Sequence, residues 1–142
     1  TSKLVSAKAV QAFLSSLSVM ICVGETLAER EAGNELATVL DQLAVSVPPT
    51  LPTTALTIAY EPVWAIGTGK VATAVEIAEM HLGIRGWLDE AGFNQTKILY
   101  GGSVKPGNAA EIFAVPHVDG ALVGGASLIA ADFDGICAAA AD

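Results

Sequence analysis

Leu56-Thr-Ile-Ala-Tyr-Glu-Pro-Val-Trp-Ala-Ile-Gly-Thr-Gly-Lys70 is the stretch that decides the fold. Its first residues are apolar or β-branched, which predicts a short strand. Glu61 stands at the end of that strand and Pro62 fixes the backbone behind it, while Gly67 and Gly69 supply backbone conformations that other residues rarely adopt. The pattern predicts a carboxylate beside a loop that is stiff at both ends. The alternative is an ordinary connection between a strand and a helix.

Three more apolar runs have the same character as this strand. Each is short and continuously apolar rather than alternating, which is typical of strands covered on both faces by helices. The full set of predicted strands is Val19–Val23, Leu56–Tyr60, Lys97–Tyr100 and Gly120–Val123. Right-handed crossovers between successive strands predict one parallel sheet, so we assign the chain to the α/β class.

Helical periodicity separates the predicted strands. Three apolar stripes at helical spacing are expected to form core: Val10, Phe13, Leu14 and Leu17; Leu36, Val39, Leu40 and Leu43; and Ile77, Met80, Ile84, Trp87 and Leu88. Pairs with capping-box spacing predict helix starts: Thr26 with Glu29, Thr73 with Glu76, and Asn108 with Glu111. A short alanine-rich helix is predicted from Asp132 to Ala141. One helix followed by repeated strand-and-helix units makes residues 1–142 a single domain.

The composition argues against several classes of function. Seven basic against fifteen acidic side chains give a net charge of −8, with no basic cluster for nucleic acid. No apolar run reaches the roughly 18 residues of a membrane span. Cys22 and Cys137 are far apart in apolar stretches, which predicts reduced, buried thiols and a cytoplasmic location. The sequence has no metal-binding pattern, and we expect none.

The strand-to-helix loops carry the unusual residues, and in a parallel sheet these loops lie at the same rim. Gly101-Gly102-Ser103 and Gly124-Gly125 follow their strands directly, and their amides can approach phosphate oxygens because no Cβ intervenes. We expect a phosphate site without a cationic side chain, although each glycine pair could instead form only a tight turn. A nucleotide-binding P-loop around Lys70 is excluded, since that motif needs Gly at the position of Trp64 and Ser or Thr at that of Val71.

Taken together, the motifs resemble those of the triosephosphate isomerase family. The likeness covers nearly the whole chain and rests on Cys22-Val-Gly-Glu25, Arg30-Glu-Ala-Gly33, Glu61-Pro-Val-Trp-Ala-Ile-Gly-Thr-Gly-Lys70, Tyr100-Gly-Gly-Ser103 and Leu122-Val-Gly-Gly-Ala126. That family folds as a barrel of eight parallel strands. The resemblance therefore implies that residues 1–142 are the C-terminal half of a (β/α)8 barrel, a half barrel with four of the eight strands.

The resemblance also implies an activity. The family interconverts dihydroxyacetone phosphate and glyceraldehyde 3-phosphate without a cofactor, moving a proton between adjacent carbons through an enediolate. Glu61 would be the catalytic base. Backbone amides of Gly67, Ser103, Gly124 and Gly125 would bind the substrate phosphate.

A lid over the site is a further implication of the resemblance. Closing it would exclude water, which makes a carboxylate a better base and protects the enediolate. Trp64 would bond to Glu25, unless it is only a hydrophobic anchor, and Tyr100 and Ser103 would bond to the far end near Gly69 and Ala72. Glu25, Tyr100 and Ser103 would thus latch a lid made of Pro62, Val63, Trp64, Ala65, Ile66, Gly67, Thr68, Gly69, Lys70, Val71 and Ala72.

Some of the family's catalytic residues have no counterpart in this sequence. Its electrophilic histidine and its lysine belong to the N-terminal half, and we expect His81 and His117 to be solvated or capping histidines away from the rim. We therefore predict that the chain alone is inactive. It would need the N-terminal half of the barrel, or a second copy, to cover two open sheet edges, and the complete enzyme would be a homodimer.

Two alternatives stay open at this point. A different phosphate-binding barrel enzyme, of amino-acid biosynthesis, would share the glycine pairs but would not need the segment from Glu61 to Lys70. A non-catalytic half barrel that binds phosphate compounds and assembles with a partner is compatible with the missing residues.

Overall fold

The computed structural model describes residues 1–68 and 70–141 and contains the predicted parallel sheet. Its strands lie in the order β1-β2-β3-β4 and are all parallel, which confirms the α/β prediction. They are β1 (Val19–Val23), β2 (Leu56–Tyr60), β3 (Lys97–Tyr100) and β4 (Gly120–Ala121). The last strand is shorter than the predicted 120–123, because its ladder ends where Ala121 pairs with Tyr100, the last residue of β3.

Helices connect the strands and cover one face of the sheet. They are α1 (Ser2–Leu14), α2 (Leu27–Glu31), α3 (Glu35–Ser46), α4 (Ala74–Glu90), α5 (Pro106–Phe113) and α6 (Ala130–Ala139), with 3-10 turns at Thr53–Ala55, Val63–Ala65 and Gly125–Leu128. The alanine-rich helix α6 thus begins two residues earlier than predicted. Two helices rather than one follow β1, because the amides of Gly33 and Asn34 bond back to Arg30 and Glu29 and close α2.

Two of the three predicted capping boxes are present. Thr26 caps α2 with Glu29, and Thr73 caps α4 with Glu76. The third prediction is wrong: Asn108 lies inside α5, where its Oδ1 accepts a hydrogen bond of 2.7 Å from the Lys105 amide. The helix starts earlier because Pro106 has the backbone angle of a first helical residue and needs no amide partner there.

The core lies between the sheet and the helices that follow β1, β2 and β3. The third predicted stripe is buried or half-buried throughout, and Val39 and Leu43 of the second are fully buried. The prediction that the first stripe is buried is largely wrong. Phe13 and Leu14 are exposed, and Leu17 is exposed beyond the end of α1, while Ala9 is the residue that α1 buries.

The opposite face of the sheet is partly open, contrary to the expectation of cover on both faces. Along β1, Val19, Ile21 and Val23 are buried whereas Met20 and Cys22 are exposed. The four strands form an open sheet that does not close on itself, so its second face has no described strands opposite β1.

Both thiols are exposed, which corrects the prediction that they are buried. Cys22 lies on the open face of β1, and Cys137 lies on a side of α6 that no described element covers. No helix among the described residues is both long enough and apolar enough to span a bilayer.

Candidate functional site

Glu61 is held where three strands end. Its amide donates to the Val23 carbonyl at the end of β1 (2.8 Å). The next amide along the rim, that of Gly101, donates to the carbonyl of Tyr60 (2.8 Å). The backbone on both sides of Glu61 is therefore fixed by neighbouring strand ends rather than by the loop that follows.

Gly24 lets the end of β1 approach Glu61 closely. A Cβ on Gly24 would stand 2.6 Å from the carbonyl carbon of Glu61 and nearer still to the carbonyl oxygen. The peptide groups of Gly24 are held by Gln42 of α3, whose Oε1 accepts from the Gly24 amide and whose Nε2 donates to the Gly24 carbonyl, both at 2.9 Å. The sequence analysis did not identify Gln42, because no local pattern indicates that a glutamine on a helix will form hydrogen bonds with a distant glycine.

One open cavity at the rim brings the predicted base and phosphate residues together. Its volume is about 630 Å³, and its walls include Glu61, Gly67, Ser103, Gly124 and Gly125. The remaining lining residues are Ile66, Gly101, Gly102, Val104, Lys105, Leu122, Val123 and Ala126. Among residues 1–68 and 70–141, no group of three or more His, Cys, Asp or Glu side chains could hold a metal ion.

Lys105 corrects the expectation of a pocket without a cation. It lies in the loop after β3, two residues beyond Ser103, and contributes to the cavity wall. The sequence does contain a signal, since only Val104 separates Lys105 from the glycine-rich segment Gly101-Gly102-Ser103.

The side chain of Glu61 lies against the glycine loop after β3. A Cβ on Gly101 would stand 2.6 Å from Cγ of Glu61 and 3.3 Å from its Oε1. On its other side Glu61 neighbours Cys22. Partial desolvation, followed by the negative charge of Glu61, raises the pKa of the Cys22 thiol to about 11, so the thiol stays protonated beside the carboxylate.

The 62–72 loop begins in an ordered turn and has an exposed tip. Pro62 and Ala65 are buried, and the Ala65 amide bonds to the Pro62 carbonyl (2.8 Å). Thr68 Oγ1 donates to the Trp64 carbonyl (2.7 Å), and Gly67 has φ of +68°. The prediction that Gly67 has a backbone conformation rarely adopted by other residues is therefore confirmed. Gly69 lies outside the described residues.

Glu25 anchors the start of this loop. It is fully buried, and its Oε1 accepts from Trp64 Nε1 (2.7 Å), Arg30 Nε (2.9 Å) and the Tyr60 hydroxyl (3.2 Å). The backbone adds a bond from the amide of Val63 to the carbonyl of Glu25 (3.1 Å). Burial, then the charge of Glu25, raises the pKa of Tyr60, so its hydroxyl remains a donor.

Tyr100 and Ser103 are the two residues expected to hold the far end of the loop. Among residues 1–68 and 70–141, the buried Tyr100 hydroxyl has no partner within hydrogen-bonding distance, although it lies near the Ala72 amide. Burial raises the pKa of Tyr100 to about 12, against the opposing effect of the nearby Ala72 amide. Ser103 accepts at its carbonyl from Asn108 Nδ2 (3.1 Å). The predicted contact of Ser103 near Gly69 falls outside the described residues.

The histidines lie away from the cavity walls, as expected, but His81 is buried rather than solvated. Its Nδ1 lies 2.9 Å from the carbonyl of His117, and its ring packs edge-on to Tyr60 with centroids 5.8 Å apart. Burial lowers the pKa of His81, opposed by the His117 carbonyl and Asp119. His117 is exposed, with φ of +66°.

Known proteins with similar sequence and structure point to a single family. The family model described as triosephosphate isomerase matches residues 1–140. Triosephosphate isomerases of Dinoroseobacter shibae and Ruegeria pomeroyi are 55% and 57% identical to the chain, over 95% and 93% of its length and 56% and 54% of theirs.

Comparison with solved structures agrees. The crystal structure of triosephosphate isomerase from Bartonella henselae matches with a TM-score of 0.92 and 40% sequence identity, covering 100% of this chain and 59% of that one. The chain therefore spans a little over half the length of the relatives it matches, and its strands and helices form a half barrel. This match also removes the alternative of a barrel enzyme from another family. Since the family model extends over nearly every residue, the chain belongs to the triosephosphate isomerase family.

Proposed function

We propose that this chain provides the base and the phosphate-binding loops of an isomerase that interconverts dihydroxyacetone phosphate and glyceraldehyde 3-phosphate. The observation that carries the proposal is the open rim cavity of about 630 Å³, whose walls contain Glu61 together with glycine-bearing segments of three loops. Family membership supports the same reading.

Glu61 acts as the base. Its carboxylate removes a proton from the carbon next to the carbonyl and returns it to the neighbouring carbon, with an enediolate between the two steps. The hydrogen bonds from the Glu61 amide to Val23 and from the Gly101 amide to Tyr60 fix the backbone that carries the carboxylate, which matters because proton transfer depends steeply on geometry. The Cys22 thiol stays neutral beside it and adds no competing charge.

The phosphate is bound by backbone amides of Gly67, Ser103, Gly124 and Gly125. The 3-10 turn Gly125–Leu128 starts at the cavity, and the first amides of such a turn have no partner within it. Lys105 adds positive charge at the wall of the site. Together these donors suit a dianionic phosphate ester.

The 62–72 loop serves as the lid. Its exposed tip contributes Ile66 and Gly67 to the cavity, so movement of the tip changes the access of water to Glu61. The buried hydroxyl of Tyr100 lies near the Ala72 amide, where it would hold the closed form together with Ser103. Closure of this kind raises the basicity of a carboxylate and protects a reactive intermediate.

Activity requires the rest of the barrel. The chain spans only 53–57% of the length of its relatives, and the open face of its sheet is lined by residues such as Met20 and Cys22. We infer that the N-terminal half of the barrel, or less favourably a second copy, covers this face and supplies the electrophile, in a homodimeric cytoplasmic enzyme. Loss of one such electrostatic group costs about 10²–10³ in turnover.

The experiment that tests this function is reconstitution. Isomerase turnover on glyceraldehyde 3-phosphate is measured for the chain alone, for the N-terminal part of the Ruegeria pomeroyi relative alone, and for the two together, a combination called the completed barrel below. We expect turnover only in the completed barrel. A folded completed barrel that binds inorganic phosphate without turnover would instead support a non-catalytic phosphate-binding half barrel.

A further inference from the structure

We propose that Arg30 is a positioning residue that couples the two ends of the 62–72 loop, so that both ends move together. The inference rests on the proposed role of this loop as a lid and adds a mechanical requirement to it. The structure assigns Arg30 this position because its guanidinium contacts a residue tied to each end of the loop.

At the first end of the loop, Arg30 acts on Trp64. Its Nε donates to Glu25 Oε1 (2.9 Å), the same oxygen that accepts from Trp64 Nε1 (2.7 Å). Its guanidinium carbon also lies 5.1 Å from the centre of the Trp64 ring, within the range of a cation–π contact. Arg30 therefore fixes both the acceptor of the indole N–H and one face of the indole.

At the second end of the loop, Arg30 acts through Glu76. Its Nη1 lies 3.5 Å from Glu76 Oε1. The other oxygen of Glu76 accepts from the amide of Thr73 (2.7 Å) and from its hydroxyl (2.8 Å), which closes the capping box at the residue directly after Ala72. The carboxylate of Glu76 thus joins Arg30 to the segment where the loop becomes helix α4.

Only an arginine can join these partners, because the connection between the two ends of the loop uses several N–H donors in fixed directions. Besides Glu25 and Glu76, the guanidinium reaches the Tyr60 hydroxyl from Nη2 (3.2 Å). The Arg30 side chain is 14% exposed, and the side chain of Glu25 is not exposed at all, so water screens the near contact little. A lysine ammonium carries the same charge but cannot hold these partners in one planar arrangement.

The variant Glu76→Gln tests the ion pair with Arg30 while it keeps the capping box on Thr73. Glutamine still accepts from the Thr73 amide, since it is a regular member of such boxes, but it loses the charge that pairs with Arg30. Glu29→Gln is the matched control: Glu29 closes the equivalent box on Thr26 with a 2.7 Å bond to its amide. Both variants should therefore fold with similar stability.

The measured signal comes from Trp64, at the first end of the loop, whereas the substitution at Glu76 acts on the second end. This chain, which has two tryptophans, is labelled with 5-fluorotryptophan and combined with the unlabelled N-terminal part, and the Trp64 signal is told apart from that of Trp87 with a Trp87→Phe variant. The ¹⁹F spectrum is recorded with and without inorganic phosphate, and kcat and KM are measured in parallel. The ¹⁹F signal needs no turnover, so failure of this inference and failure of the proposed isomerase function give different results.

We expect Glu76→Gln to shift or broaden the Trp64 signal and to lower kcat about 3–10-fold at nearly constant KM, as for loss of an interaction that acts in closure. Glu29→Gln should change neither the Trp64 signal nor kcat. The inference is overturned if Glu76→Gln leaves the Trp64 signal and kcat equal to those of Glu29→Gln.

Arg30→Lys provides the second test. We expect it to reproduce the effects of Glu76→Gln, and the double variant to be no worse than the more affected single variant, because both break the same connection. Arg85→Lys is the control for loss of an arginine of equal burial, since the Arg85 side chain is 15% exposed and its ion pairs are with Asp89 and Asp119. Fully additive effects of Arg30→Lys and Glu76→Gln would also refute the coupling.

Discussion

At the scale of single residues, the site depends on close approaches that leave no room for a side chain. Gly24 is the clearest case, because its peptide lies against the Glu61 carbonyl and is held there by Gln42. Such a contact positions Glu61, the proposed base, from a residue outside the cavity wall.

We predict that Gly24→Ala destabilises the completed barrel by at least about 1–3 kcal/mol, because the new methyl group must displace backbone rather than a flexible side chain. Gly86→Ala is the control: Gly86 lies in α4, a Cβ there would meet nothing within 4 Å, and we expect a gain of about 0.5–1 kcal/mol. Urea unfolding at equilibrium measures both. Equal effects of the two substitutions would contradict the close approach.

His81 makes stability depend on pH. Because burial lowers its pKa in the folded protein, the unfolded chain binds a proton near the ordinary value of about 6.5 that the folded protein does not bind. Stability is therefore complete above that value and falls as pH decreases below it, by up to about 1.4 kcal/mol per pH unit. Asp119 opposes the shift and Arg85 adds to it.

The comparison of unfolding free energies at pH 7.5 and 5.5 tests this dependence. We predict that His81→Gln reduces the difference between the two pH values. His117→Asn, which replaces an exposed histidine with a residue that tolerates its positive φ, should leave the difference nearly unchanged. A pH difference that survives in His81→Gln would assign the effect to other groups.

At the scale of elements, the 62–72 loop has contacts at its ends, while Ile66, Gly67 and Thr68 near its tip are exposed. Trp64 is the anchor of the first end, through the bond to a fully buried carboxylate. We predict that Trp64→Phe, which keeps an aromatic ring but loses the N–H donor, lowers kcat/KM about 10–100-fold, as expected for a hydrogen bond to a charged group.

The control for this substitution is Trp87→Phe, which trims the half-buried tryptophan of α4 in the same way. Steady-state kinetics of the completed barrel should show little change for Trp87→Phe. If Trp64→Phe were as active as the control, Trp64 would be a hydrophobic anchor only.

Elements with local signals were predictable from the sequence. The capping boxes of α2 and α4 follow from Thr and Glu three residues apart, and the strands follow from apolar runs. The start of α5 was misplaced because Pro106 is a stronger start signal than the Asn108–Glu111 pair. The hydrogen bonds between Gly24 and Gln42 join residues that are 18 positions apart, and no local sequence pattern predicts such a contact.

At the scale of the whole molecule, the wrong predictions of burial share one cause. Phe13, Leu14, Met20 and Cys22 have the pattern of core residues, yet they are exposed because the half barrel lacks the neighbours that would cover them. The position of Glu61 and of the two glycine loops at one cavity was predictable, since the loop after each parallel strand lies at the same rim of the sheet.

The central claim is that Glu61 is the base of a site whose phosphate loops are also on this chain. The most direct measurement is turnover of the completed barrel with Glu61→Asp, beside binding of inorganic phosphate to the same variant. Because the carboxylate is withdrawn by one methylene, turnover should fall by about 100-fold or more while phosphate affinity stays the same. Unchanged turnover in Glu61→Asp would contradict the account.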